Sequence, residues 1–97
     1  MSDDFGFAPS PFKPEEARVA LGRALRDLGL AERGTGFELR GKRVLELIAD
    51  DGTIRARIAR RLVLTPEWDT QTLKVAADTR KLLDDVKKRL ARWERED

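Results

Sequence analysis

The sequence predicts a small α+β domain in the order α-β-β-β-α, with two helices packed on one face of a three-stranded antiparallel meander. Three observations predict this fold class: apolar residues recur at helical spacing near both ends, apolar and polar residues alternate along the centre, and an Asp51-Gly52 turn joins the central strands. The 97 residues suffice for one domain. We expect residues 14–95 to form it and residues 1–13 to be a mostly disordered arm.

The arm contains two prolines, one glycine and an acidic pair, without sustained periodicity. It also holds three of the four phenylalanines of the chain, Phe5, Phe7 and Phe12. Either the arm docks on its own domain or it presents these aromatic side chains to a partner. The simpler expectation is that Phe12 packs locally and the rest stays loose.

The first helix is predicted to begin at Pro14, because proline is favoured at the first helical position and the two glutamates that follow face the positive end of the helix dipole. Gly29 is expected to end this helix in a Schellman motif, with Leu30 packed back against Leu25. One face of the helix is apolar and carries Ala17, Leu21, Ala24, Leu25 and Leu28.

The centre of the chain predicts a β-hairpin with a definite register. Asp51-Gly52 is a preferred dipeptide for a two-residue type I′ turn, in which both central residues have positive φ. The apolar face then pairs Ala49 with Ile54, Leu47 with Ala56 and Leu45 with Ile58, and the mixed face pairs Ile48 with Arg55 and Glu46 with Arg57. A sheet with one apolar face is expected to be covered on that side only.

Residues 32–36 are interpreted as a loop, and residues 37–40 as the strand that precedes the hairpin. Keeping Phe37 opposite Leu45 on the apolar face requires a three-residue connection between these strands or a bulge at Gly41.

The second helix is predicted from Thr65, as N-cap, through Pro66 to about Trp93. A helix of this length overhangs the sheet, so Trp93 either closes the core over the first helix or is left for a partner. The expected core comprises Leu21, Leu25, Leu28, Phe37, Leu39, Leu45, Leu47, Ile54, Ile58, Val75, Leu82, Leu83 and Val86.

The composition argues against catalysis and against metal or cofactor binding. The chain has no histidine, cysteine or tyrosine, so the usual general bases, thiol nucleophiles and soft metal ligands are absent. Asp50 and Asp51 are explained by the hairpin turn, and Asp84 and Asp85 by ion pairs with basic residues four positions away on the same helix. We therefore expect a non-enzymatic protein without a cofactor.

The expected setting is a bacterial cytoplasm. Arginine predominates among the basic residues, which is typical of a chain from a GC-rich genome, and the absence of cysteine gives no indication of secretion. The first residues are acidic where a signal peptide would be basic, and no apolar run has the length of a membrane span.

Three surfaces could bind a partner protein or a second copy of the chain, and one of them is the edge strand of the sheet. Trp68, Leu90 and Trp93 lie on the predicted second helix, the end of which extends beyond the sheet. Val44, placed opposite Glu38, and Ile48 lie on the sheet face that neither helix covers. A protein-interaction module is therefore the favoured function.

An arginine-rich end of the sheet provides the alternative function, binding of an anion or a nucleic acid. Residues 37–64 carry seven basic and four acidic side chains, and the extended hairpin register pairs Arg43 with Arg60 and Lys42 with Arg61. Like charges in such pairs are unfavourable unless an anion lies between them. That anion is either a phosphate or an internal carboxylate, for which the candidates are Glu67, Asp69, Asp3 and Asp4. The basic side chains can also simply be solvated, and an internal carboxylate or solvation is favoured over a phosphate.

Nucleic acid is the less favoured of these ligands. The order α-β-β-β-α is similar to that of double-stranded-RNA-binding domains, which direct cations at phosphates from the start of their second helix. Here residues 65–69 and the Asp50-Asp51-Gly52 loop are acidic at the corresponding positions.

Overall fold

The structure is a computed structural model that describes residues 12–96. It confirms the α+β class and shows five strands where the sequence predicted three. The predicted arm lies outside the described residues except for its last two positions. The elements are α1 (Pro14–Asp27), β1 (Ala31–Arg33), β2 (Gly36–Leu39), β3 (Lys42–Asp50), β4 (Thr53–Ala59), β5 (Trp68–Leu73) and α2 (Ala76–Glu96). All strands form one antiparallel sheet in the order β1-β2-β3-β4-β5.

The central hairpin has the predicted register at every position, including Leu45 opposite Ile58 and Glu46 opposite Arg57. The predicted turn type is wrong. Gly52 has a φ of 70°, but Asp51 does not have positive φ, so the two central residues do not form a type I′ turn. The Asp50 carboxylate instead accepts a hydrogen bond from the Asp51 backbone N–H (2.9 Å).

A β-bulge lies between β2 and β3, although not at the predicted position. Phe37 pairs with Leu45 as expected, but Glu38 pairs with Arg43, so Val44 is the extra residue of β3 and the predicted Glu38–Val44 pairing is wrong. Because the bulge interrupts the alternation of the strand, the consecutive residues Val44 and Leu45 are both fully buried.

The turn between β2 and β3 consists of two residues, Arg40 and Gly41, with φ values of 53° and 79°. Positive φ at both positions is the requirement of a type I′ turn. A two-residue turn alone would place the apolar side chains of β2 and β3 on opposite faces of the sheet. The extra residue of the bulge shifts the register by one, so that Phe37 and Leu45 lie on the same face.

The first strand, β1, was predicted as part of a loop. It pairs with β2 through a tight turn at Gly34 and Thr35, and its short sequence lacks a period-two apolar pattern. Contacts with distant residues hold it in place. Glu32 forms ion pairs with Arg18 (3.8 Å) and with Arg26, both on α1.

The last strand, β5, contradicts the predicted start of the second helix. Residues 68–73 pair along β4, with Leu73 opposite Ile54 and Trp68 opposite Ala59. Two β-branched residues, Thr70 and Thr72, favour this extended conformation. The Thr-Pro-Glu signal therefore precedes a strand, and α2 begins eleven residues after Thr65, at Ala76.

The true start of α2 is capped by Asp78. Its Oδ2 accepts hydrogen bonds from the backbone N–H groups of Lys74 (2.8 Å) and Val75 (3.2 Å), which would otherwise lack helical partners. These two hydrogen bonds lower the pKa of Asp78, and the bond from Lys74 has the larger effect. Val75, which was predicted in the core, lies just before the helix and is 53% exposed.

Helix α1 begins at Pro14 and ends in the predicted Schellman motif. Gly29 has a φ of 99°, and the N–H of Leu30 donates to the carbonyl oxygen of Leu25 (3.2 Å). The N–H of Gly29 donates to the carbonyl oxygen of Arg26 (2.9 Å), which completes the pair of bonds typical of this motif.

Both helices lie on the apolar face of the sheet. Gly22 of α1 packs near the ring of Phe37, which shares that face with Leu45. Helix α2 contacts the same face through Asp69 and Gln71, which pair with Ile58 and Ala56 on β4. Neither helix has the length and apolarity of a membrane span within residues 12–96.

The core between the helices and the sheet contains most of the predicted residues. Of the predicted set, Leu28, Leu39 and Leu83 are only partly buried. Trp93 is fully buried, so the alternative in which it closes the core is the one observed. Further buried residues that were not in the predicted core set are Leu30, Val44, Ala56, Ala59, Leu62 and Leu73.

Candidate functional site

The residues predicted to bind a protein do not form one surface. Val44 and Trp93 are fully buried, so neither is available on the surface of the monomer. Trp68 and Leu90 are half-buried against the core, and among these five predicted residues only Ile48, 38% exposed, presents a large apolar side chain to solvent. The structure therefore does not assemble the predicted apolar patch.

Trp68 lies on the open face of the sheet and is covered by charged neighbours. The guanidinium of Arg57 lies 4.7 Å from the Trp68 ring, a cation–π contact. Arg57 also forms an ion pair with Glu46 (3.2 Å), which in turn pairs with Arg43 (2.9 Å). These contacts make Trp68 part of a polar layer on the sheet rather than an exposed aromatic anchor.

The predicted basic cluster is divided between two places. The β3–β4 ladder ends at Leu45 and Ile58, so Arg43 is not paired with Arg60, and Lys42 instead faces Leu39 of β2. The Arg43 side chain packs over Gly36, where a Cβ atom would lie 2.5 Å from its Cζ. Arg43 and Lys42 therefore belong to the β2–β3 end of the sheet.

Arg60 and Arg61 lie at the end of β4 and line a groove with the C-terminal half of α2. The groove has a volume of about 650 Å³. Basic residues of α2 that the sequence analysis did not select complete it. The groove is lined by Arg60, Arg61, Asp69, Asp85, Lys88, Arg89, Arg92 and Glu96, and we call it the basic groove.

A network of ion pairs forms the floor of the basic groove. Asp69 of β5 lies between two guanidinium groups, at 2.8 Å from Arg60 Nε and 2.9 Å from Arg89 Nη2. The pKa of Asp69 is lowered from its ordinary value, mainly by the hydrogen bond from Arg60 and next by the hydrogen bond from Arg89. In turn, the hydrogen bond to Asp69 raises the pKa of Arg60. Glu67 adds a second carboxylate to Arg60 (3.1 Å). Glu67 and Asp69, two of the carboxylates that the sequence offers for this role, therefore both contact Arg60.

Hydrogen bonds to the backbone join α2 to the end of β4. Arg89 Nη1 donates to the carbonyl oxygen of Ala59 (3.2 Å), and Arg92 Nη2 donates to that of Arg60 (2.9 Å). Glu96 Oε1 accepts a hydrogen bond from the N–H of Leu62 (3.0 Å). Arg89 is only 15% exposed and also pairs with Asp85 (3.1 Å), as the predicted i,i+4 spacing required. These bonds hold the two sides of the groove in a fixed geometry.

The basic groove has an excess of positive charge. Five basic and three acidic side chains line it, a net charge of +2. Neither Lys88 nor Arg92 forms an ion pair with another residue of the described part of the chain. Lys88 and Arg92 lie four positions apart on one helix face, which is the sequence signal that could have indicated them. Whether they lie near Arg60 depends on how α2 packs against the sheet.

Most of the side chains that line the groove are cationic. Guanidinium and ammonium groups recognise carboxylates and phosphates by charge-assisted hydrogen bonds. Its three carboxylates, when ionised, accept hydrogen bonds and do not donate them. Within residues 12–96, no group of three or more acidic side chains is placed to hold a metal ion.

Comparisons of this chain with protein-family models, with curated proteins and with solved structures gave no match. The functional conclusion therefore depends on the geometry and charge of the basic groove.

Proposed function

We propose that this protein is a non-enzymatic interaction module that binds an acidic segment of a partner protein in the basic groove. The excess positive charge in a concave surface is the observation that carries this proposal. The scaffold is preorganised, because Arg89 and Arg92 are bound to backbone carbonyl oxygens of the opposite wall. Preorganisation lowers the entropic cost of binding.

Exposed apolar side chains within three positions of Arg61 in the chain favour a peptide as the ligand. Val63 and Leu64 follow Arg61 in the loop between β4 and β5, and they are 39% and 78% exposed. A partner segment that combines carboxylates with an apolar side chain would neutralise the groove and cover these residues. Apolar contact of this kind contributes to affinity without dependence on salt.

The carboxylates of the groove make a nucleic acid the weaker candidate. Asp69, Asp85 and Glu96 lie among the cations, where they would repel a continuous phosphate backbone. A peptide can place its few carboxylates at Lys88 and Arg92 and present other groups to the acidic positions. The groove therefore suits a ligand with a few separate negative charges better than a continuous polyanion.

A titration with a glutamate-rich peptide that contains one leucine tests the proposal. We expect saturable binding, measured by fluorescence anisotropy of the labelled peptide, and several-fold weaker binding to a Lys88→Glu variant. Lys87→Glu is the matched control, since it makes the same charge change one position away, outside the groove lining. Equal losses in both variants, or the absence of saturable binding to the wild-type chain, would contradict the proposal. A single-stranded oligonucleotide that competes more strongly than the peptide would favour the nucleic-acid alternative.

A further inference from the structure

The outer edge of β5 presents a row of backbone groups that β4 does not pair. The N–H of Arg60 donates to the carbonyl oxygen of Glu67 (3.0 Å), so these residues form a hydrogen-bonded pair in register with the β4–β5 ladder. Hydrogen-bonded and non-hydrogen-bonded pairs alternate in an antiparallel ladder. The backbone groups of Trp68, Thr70 and Thr72 therefore point away from β4, and no strand lies beyond β5 in the part of the chain that the structure describes.

The opposite edge of the sheet, at β1, offers much less backbone for pairing. β1 has three residues, and its Arg33 pairs with Gly36 across a two-residue turn, so only Glu32 directs its backbone groups outward. β5 has six residues, without a proline or a lysine, two residues that commonly protect an edge strand from pairing. The edge of β5 is therefore the one suited to accept another strand.

In one register this edge is complementary to itself. If two copies of β5 run antiparallel about a twofold axis at Thr70, Trp68 of each copy faces Thr72 of the other. This is the only antiparallel register that pairs all three outward-facing residues with one another, with two hydrogen bonds in each pair. Asp69, the one charged residue of β5, then faces Gln71 of the second copy, so no like charges oppose each other. Its carboxylate already has ion-pair partners within its own copy.

We propose that the chain forms a symmetric dimer in which β5 pairs with β5 of a second copy. The two five-stranded sheets then become one continuous antiparallel sheet, with both α2 helices on the same face. The exposed side chains of Thr70 and Thr72 lie beside the new strand pairing. This dimer does not depend on the binding of an acidic partner, because strand edges and not the cations of the basic groove form the interface.

Amide hydrogen exchange of the full-length chain, read residue by residue by NMR, tests the pairing directly. At high protein concentration we expect slow exchange at Trp68, Thr70 and Thr72, with faster exchange on dilution as the dimer dissociates. The amide of Glu32, which points outward from β1, is the internal control and should exchange fast at every concentration. Fast exchange at Thr70 and Thr72 at all concentrations would overturn the proposal.

Sedimentation velocity with a charged variant provides the second test. We expect Thr70→Lys to weaken the dimer by about tenfold or more, because two like charges then face each other at the twofold axis. Thr70 is exposed, so the variant should keep its fold, which circular dichroism checks. Thr53→Lys is the matched control, since it makes the same change beside the β3–β4 turn and should leave the dimer intact. A wild-type chain that stays monomeric at all concentrations, or a Thr70→Lys dimer as stable as the wild type, contradicts the proposal.

Discussion

At the scale of single residues, burial separates the two tryptophans. Trp93 is the largest fully buried side chain, and its indole Nε1 has no hydrogen-bond partner among residues 12–96. Trp68 is half-buried and held by the Arg57 guanidinium. Trp93 therefore contributes to stability mainly through apolar contact, and Trp68 through a polar surface layer.

Replacing Trp93 by alanine should destabilise the domain by about 3–5 kcal/mol, because a large cavity opens in the core. Trp68→Ala, as the control, should cost clearly less, since its ring is already partly in water. Trp93→Phe should be milder than Trp93→Ala, because it keeps an aromatic ring and removes the unpartnered N–H. Urea unfolding followed by circular dichroism measures all three. If both alanine variants lower the unfolding free energy equally, Trp93 is not more deeply buried than Trp68.

Asp69 should make stability depend on pH. Its pKa is lowered in the folded state by Arg60 and Arg89, so its ion pairs stabilise the fold at neutral pH. This contribution is lost as the pH falls below about 4, through the lowered pKa. The difference in unfolding free energy between the wild type and Asp69→Asn should therefore be present at pH 7 and shrink in acid. Asp84→Asn, which removes a carboxylate outside the groove, is the control and should change the unfolding free energy less at pH 7. If the difference between the wild type and Asp69→Asn grows in acid, the ion pairs of Asp69 do not stabilise the fold as stated.

At the scale of elements, glycine positions control the turns. Gly52 has a φ of 70° in the β3–β4 turn, a conformation that β-branched residues strongly disfavour. Gly52→Val should destabilise the domain by about 1 kcal/mol or more. Thr53→Val is the control, because Thr53 already lies in β4 and tolerates branching. A neutral Gly52→Val in thermal unfolding would show that the turn adopts another geometry.

The elements that sequence alone predicts correctly are those with local signals. The Schellman stop at Gly29 and the register around Asp51-Gly52 depend on residues close together in the chain, and both are observed. Strand β5 was missed because Thr65 and Pro66 resemble a helix start, whereas pairing with β4 decides the conformation of Trp68–Leu73. Tertiary pairing overrides a local cap signal here.

The same distinction applies to the candidate site. Arg60 and Arg61 were selected from the charge of their segment, and they do line the basic groove. The prediction that Arg43 joins them extended a strand pairing beyond the point where the ladder ends. Lys88 and Arg92 were missed, because their spacing shows only that they share a helix face, and the packing of α2 across the sheet places that face next to Arg60.

At the scale of the whole molecule, α2 connects the core to the groove. Leu82, Val86 and Trp93 anchor one face of the helix in the core, and Lys88, Arg89 and Arg92 lie on the side that lines the groove. Core packing and the proposed binding thus involve different faces of one helix. Charge changes at Lys88 should alter affinity with little effect on folding, since surface charges contribute little to stability.

Mapping the bound glutamate-rich peptide by amide chemical shifts tests the central claim most directly, namely that binding takes place in the basic groove. We expect the largest shifts at Arg60, Arg61, Lys88 and Arg92, with salt reducing them together. The open face of the sheet, reported by Ile48 and Trp68, should remain unperturbed. Shifts concentrated on that open face, with the groove amides unchanged, would contradict the claim.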